Sequence, residues 1–568
     1  MYDSLNTYWL TWGGAGGPFM ESSDCSLTGA PSAGDGYTAR LHLEQNYIRE
    51  SSVWDLWAWS RFSGSHVQTA NVVFDVPGAV GTGTVRAGIS RTRGGGRLAV
   101  LLNGVSQGDT VLTGTHQIVT LPVSGIRESG NTLGLRFTPV AGSYTVFVDW
   151  VSVFPEISFA SSGTAVEAPL ERNIAPGTRR RIDWGQNLDP ARAFLVSGDT
   201  LARSLDLPGG NSFEVEVPEG WRAPVLHLYP TGSLPEPVSV AYASPGRITA
   251  NLSGADVVVV CPDEFTPDMP LLDRPDGRSR VFVSLREIWD EFNGGVRDPQ
   301  AVRAFMNWVA ETWDPLPTDL VLVGSGHFDP RHFLYDHPCP MDVLVVSPGQ
   351  EGVSDDYYGV VRGSSMPQFS VSRVFASTRS ELQFLAQRYR DYFTGEASGE
   401  WQSQVIAAAD DERKVTSGIV SYGDTYHTIQ TETILESVPD RYFPDRRYGI
   451  FHTWNDSFKK PEWRQSFIDA WSEGALAVFY MGHGSFDQIA DEGLFYLEDI
   501  ALLANGRRLP YAFFGSCDVG MFQFPGRKCI SGEVTLAASG GAVASMGATV
   551  KTTGSQNRVL LSNIFSLL

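Results

Sequence analysis

Two short motifs near the carboxyl end hold the residue types that nucleophilic catalysis needs, Gly482-His483-Gly484-Ser485 and Gly515-Ser516-Cys517-Asp518. In acyl transfer a thiolate attacks a carbonyl carbon, an imidazole takes and returns a proton, and backbone N–H groups steady the oxyanion. A free thiol has a pKa of about 8.5, which a nearby imidazolium lowers by a unit or more. Cys517 is therefore the candidate nucleophile and His483 its acid and base. Gly484 has no side chain to block a substrate backbone, and its N–H with that of Cys517 would form the oxyanion hole. Ser485 lacks the Gly-x-Ser-x-Gly elbow of a serine nucleophile and is read as a substrate contact. A lone Cys after an apolar run is as a rule a core residue. The His motif is what argues for chemistry here.

Each motif follows an apolar run, residues 475–480 before the first and 509–514 before the second. Continuous apolar runs ended by Gly fit strands buried on both faces of a parallel sheet, and ligands bind at the carboxyl edge of such sheets. A third run, 405–409, leads into Asp410-Asp411-Glu412. Upstream, 256–262, 280–284, 319–324 and 369–373 read as strands, while 298–312, 380–393 and 427–435 carry helical spacing. That alternation predicts a parallel or mixed sheet with helices on both faces, an α/β domain over residues 251–568.

The first half has another grammar. Residues 1–156 hold short segments rich in β-branched and aromatic residues, such as 70–76, 97–102 and 144–150, separated by Gly-rich turns. They predict a β-sandwich or jelly roll. Its Trp9, Trp12, Trp54, Trp57 and Trp59 pack a core or form a sugar-stacking platform. Residues 157–250 stay β-like with many prolines and read as a second small β module.

At 568 residues the chain is too long for one hydrophobic core. Its 43 basic and 64 acidic residues, a net charge of −21, argue against a nucleic-acid partner. The surplus acids suit an extracellular protein and could hold structural Ca²⁺; Asp355, Asp356 and Arg373 are read as holding the fold or such an ion. Five scattered cysteines make no disulfide framework, with Cys529 read as structural, and no ligand spacing suggests zinc. No cofactor is expected for catalysis. No run approaches the roughly 20 apolar residues of a membrane span. The first residues show no signal peptide, and one or both ends are read as trimmed.

The residues also carry a resemblance. Residues 250–568 resemble the gingipain family of cysteine peptidases, and within it the PorU-type sortases of type IX secretion. The supporting stretches are 287–295 with 298–303, 354–358, Gly482-His483-Gly484-Ser485, Gly515-Ser516-Cys517 and 540–544, in that order; residues 7–12 add a looser likeness. The resemblance implies a caspase-like catalytic domain in two subdomains, about 251–396 and 397–568, with His483 and Cys517 as the catalytic pair. It places Asp410, with Asp411 as the alternative, where gingipains carry an acid near the catalytic His. It places Asp424 in a specificity-pocket wall, facing a basic substrate residue. The implied function is removal of the carboxyl-terminal sorting segment of secreted cargo at the outer-membrane surface, with outer-membrane secretion components as partners. The acyl group would pass to water or to a surface glycolipid amine. A secreted degradative peptidase and a catalytically retired adhesion protein are the alternatives.

Overall fold

The structure is a computed structural model that describes residues 21–30, 36–44, 48–50, 56–140, 142–159, 166–170, 177–184, 191–197, 201–221, 223–229, 236, 247–274, 276–343, 345–347, 352–395, 398–411, 414–416, 419–421 and 426–568. Trp9, Trp12, Trp54, Asp424 and the side chain of Trp57 lie outside the described residues. The chain forms two compact units, one of Leu10–Tyr242 and one built on Ala243–Leu568.

The first unit is all-β, as the short aromatic and β-branched segments require. One antiparallel sheet runs in the order Val105–Leu112, Gly96–Leu102, Asn131–Pro139, Gln68–Phe74. A second is built on the long strands Ala79–Arg93 and Tyr144–Ser158. Inward residues of both, such as Val100, Leu135, Val85 and Val148, share one buried cluster, which makes the pair a sandwich. Trp59 packs against that cluster. A further five-stranded sheet joins Glu21–Asp24 to strands between Val166 and Tyr229.

The second unit holds two parallel sheets. In the first, β1 (Val257–Cys261), β2 (Arg280–Ser284), β3 (Asp319–Val323) and β4 (Ser370–Val374) lie in the order β2-β1-β3-β4. Helices α1 (Leu285–Phe292) and α2 (Gln300–Thr312) cover one face, and α3 (Arg379–Phe393) the other. Ser284 opens α1 with a capping box closed by Glu287. Arg373 forms a bidentate pair with Asp355, at 2.6 and 2.8 Å, and donates to the Gly324 carbonyl. That pair is structural.

The second sheet positions the site. It contains β5 (Gln404–Ala409), β6 (Phe443–Tyr448), β7 (Ala477–Met481), β8 (Tyr511–Gly515) and β9 (Ala544–Gly547), all parallel, in the order β6-β5-β7-β8-β9. Successive residues of a strand point to opposite faces, and both faces are covered. Ile406, Ala408, Val478 and Tyr480 pack on α5 (Pro461–Glu473) and α6 (Ile530–Leu536). Val405, Ala407, Ala477 and Phe479 pack on α4 (Tyr426–Leu435) and α7 (Gly554–Phe565). Double-sided burial is why these strands read as unbroken apolar runs. Buried Arg388 of α3 donates to the Ala537 and Ala542 carbonyls, tying the two sheets together. Among the described residues no helix is long and apolar enough to cross a membrane.

Candidate active site

Three adjacent strands end side by side. Ala409 of β5 pairs with Met481 of β7, and Met481 pairs with Gly515 of β8. One residue past β5 stands Asp410, two past β7 His483, and two past β8 Cys517. The sheet thus brings the three sequence-predicted residues to one edge, the edge where α/β sheets usually bind ligands.

The Asp410 carboxylate meets the backbone of His483 rather than its ring. Oδ2 accepts from the His483 N–H at 3.2 Å and Oδ1 from the Asp411 N–H at 2.8 Å. The Tyr480 hydroxyl lies 2.8 Å from the His483 carbonyl and 3.3 Å from Asp410 Oδ2. Asp410 therefore shapes the loop that carries the imidazole. Burial pushes its carboxyl up, the His483 N–H pulls it down, and Asp411 and Asp491 raise it further. Against the ring itself stands His427 from the first turn of α4, perpendicular at 5.4 Å between centroids. Gly482 admits this crowding, since a Cβ there would fall 2.2 Å from the Tyr480 hydroxyl and 2.5 Å from Asp410 Cβ.

Cys517 is partly exposed, and its sulfur is bracketed by Thr552, whose N–H donates to it at 3.4 Å and whose carbonyl accepts from it at 3.6 Å. The next residue, Asp518, takes a left-handed φ of 60°, a conformation that Asp tolerates. Gly484 passes close by, for a Cβ there would meet Ser516 Oγ at 2.8 Å and the Cys517 carbonyl at 3.1 Å. Among the described residues neither the Gly484 nor the Cys517 amide donates a hydrogen bond, so both remain open to an oxyanion. The other thiols differ: burial pushes Cys25, Cys261, Cys339 and Cys529 up to about 12. Ser485 is engaged in a local turn, its hydroxyl donating to Asp487 at 2.7 Å. A cavity of about 960 Å³ beyond that turn is lined by Asp487, Glu498, Lys528 and Glu533, but not by His483 or Cys517.

The model of peptidase family C25 matches residues 250–568, more than half of the chain. The chain belongs to that family. No curated protein sequence matches it. Among solved structures, latent dimeric PorU from Porphyromonas gingivalis aligns at a TM-score of 0.50 and 18% identity, covering 66% of this chain and 40% of PorU. The Arg-specific gingipain RgpB of the same organism aligns at 0.41 and 19% identity, covering 55% of this chain and 68% of that one. The chain thus spans two fifths of the PorU chain it matches. The fold is of the gingipain type, a many-stranded amino-terminal region followed by parallel sheets with helices.

In this C25 chain several contacts at the site escape sequence reading. Tyr480, His427 and Thr552 touch the candidate residues from positions that no motif marks. Behind Asp410, fully buried Lys460 pairs with Asp411 and donates to the Gly449 carbonyl at 2.6 Å. Burial, then Asp410 and Asp411, push the Glu492 carboxyl up to about 7. One prediction follows from the backbone role of Asp410. Asparagine there has a single carbonyl oxygen for two N–H groups, so either the His483 or the Asp411 amide loses its acceptor. A small shift of a catalytic group costs on the order of 100-fold. Asp410→Asn is expected to lower kcat of peptide hydrolysis by about that factor with KM little changed. Unchanged kcat in steady-state assays would remove Asp410 from the machinery.

Proposed function

We propose that the chain is a cysteine endopeptidase acting as a sortase, one that cuts the carboxyl-terminal sorting segment from secreted cargo. The observation that carries the peptidase reading is the shared edge of β5, β7 and β8, with an acid, an imidazole and a thiol at consecutive strand ends. In the reaction His483 takes the Cys517 proton, and the thiolate adds to the scissile carbonyl. The oxyanion is met by the amides of Gly484 and Cys517. The tetrahedral adduct collapses, the C–N bond breaks, and His483 returns the proton to the departing amine. A thioester remains, which water resolves to a carboxylate or a glycolipid amine resolves to an amide.

The sortase reading draws on the sequence resemblance and on a fold likeness to PorU that covers 66% of the chain, more than the C25 residues alone. It places the enzyme at the outer-membrane surface with secreted cargo as substrate. The test offers a cargo protein bearing its sorting tail. One defined cut at the tail junction is expected, and a new amide on the cargo when an amine acceptor is present. Broad digestion without a tail cut would favour the degradative peptidase instead.

A further inference from the structure

The proposed reaction makes no use of the acidic group behind Asp410. Asp410, Asp411 and Glu492 each bring a carboxylate oxygen within 4.8 Å of the other two, and each residue is only 2% exposed. Lys460, through Asp411, supplies one positive charge. Were all three carboxylates ionised, they would crowd negative charge into a place where it is strongly unfavourable. Both Asp410 oxygens accept N–H groups. Glu492 Oε2 does not: it is buried and meets no hydrogen-bond donor among the described residues. A buried carboxylate oxygen without a donor marks a position for something absent from the protein chain.

We propose that Asp410, Asp411 and Glu492 hold a divalent cation of the Ca²⁺ type. The donors are all carboxylate oxygens, the hard ligands that Ca²⁺ prefers, with no imidazole or thiolate among the three. A divalent cation offsets the negative charge that the three carboxylates carry when ionised. The ion joins the end of β5 to the segment carrying Glu492, whose carbonyl accepts from the Lys460 N–H at 3.2 Å. Through Asp410 it braces the backbone of His483. It makes and breaks no bond of the substrate; it holds the imidazole-bearing loop in place.

The site does not depend on the peptidase reading, and its test uses full-length Cys517→Ala protein, so neither result bears on the other. Metal is stripped with a chelator, then Ca²⁺ is titrated while the melting temperature is followed. Tb³⁺ is titrated in parallel, with emission excited through tryptophan, since the Trp454 ring lies 5.0 Å from Lys460 Nζ. The expected result is a saturable rise in melting temperature and Tb³⁺ emission that Ca²⁺ displaces. In Glu492→Gln and Glu492→Leu the dissociation constant rises at least tenfold, while the chelated variants melt no lower than their parent, because a repelled charge has gone. If Glu492→Gln does not fold, Glu492→Leu decides. Equal affinity in parent and variant would assign the ion to another acidic surface, and absence of emission and shift at millimolar Ca²⁺ would mean that a proton fills the site. Either outcome overturns the proposal.

Discussion

Cys517→Ala is expected to lower peptide cleavage by roughly 10⁴-fold to 10⁶-fold, the range seen when a covalent nucleophile is removed. The magnitude reflects the loss of a whole route: with no sulfur to form the thioester, His483 and the open amides of Gly484 and Cys517 can only assist water. The same substitution at Cys261 or Cys529 should leave the rate within a few-fold, because those thiols are buried and held protonated. The measurement pairs turnover of a peptide substrate with labelling by a thiol-directed probe. Folding should survive, since Cys517 is partly exposed and its sulfur makes only weak hydrogen bonds, with the Thr552 backbone, among the described residues. Cleavage and labelling that persist in the variant would move the nucleophile elsewhere.

The legible part of this molecule is the part governed by local pattern. The runs at 405–409, 475–480 and 509–514 became β5, β7 and β8 because strands buried on both faces leave no polar alternation. Their ends predicted one catalytic edge, and the register confirms a common edge for all three. Asp410 was legible as a residue at that edge but not as a backbone acceptor, since sequence gives a side chain's position and not its direction. Ser485 shows the same gap, its hydroxyl being turned back to Asp487. His427 and Glu492 lie outside the motifs, and the packing of α4 and of the segment after the His483 turn brings them in. Pairs such as Asp411 with Lys460, separated by 49 positions, follow from tertiary structure alone.

That pair carries the largest expected stability effect. Lys460 and Asp411 have wholly buried side chains, and the ammonium lies 5.0 and 5.8 Å from the ring centroids of Trp454 and Trp463. In Lys460→Met the apolar stem is kept and the charge removed, which takes the ammonium away from Asp411 beside Asp410 and Glu492. Breaking a buried ion pair from one side costs about 3–5 kcal/mol, and two neighbouring carboxylates push the loss toward the upper end. The double variant Lys460→Met/Asp411→Leu removes both charges and should recover most of it, because a desolvated pair is worth little net against well-packed apolar groups. Denaturant melts in chelator, which keep any bound cation out of the comparison, would read both variants. If the single variant loses less than about 1 kcal/mol, the ammonium is not compensating a buried carboxylate.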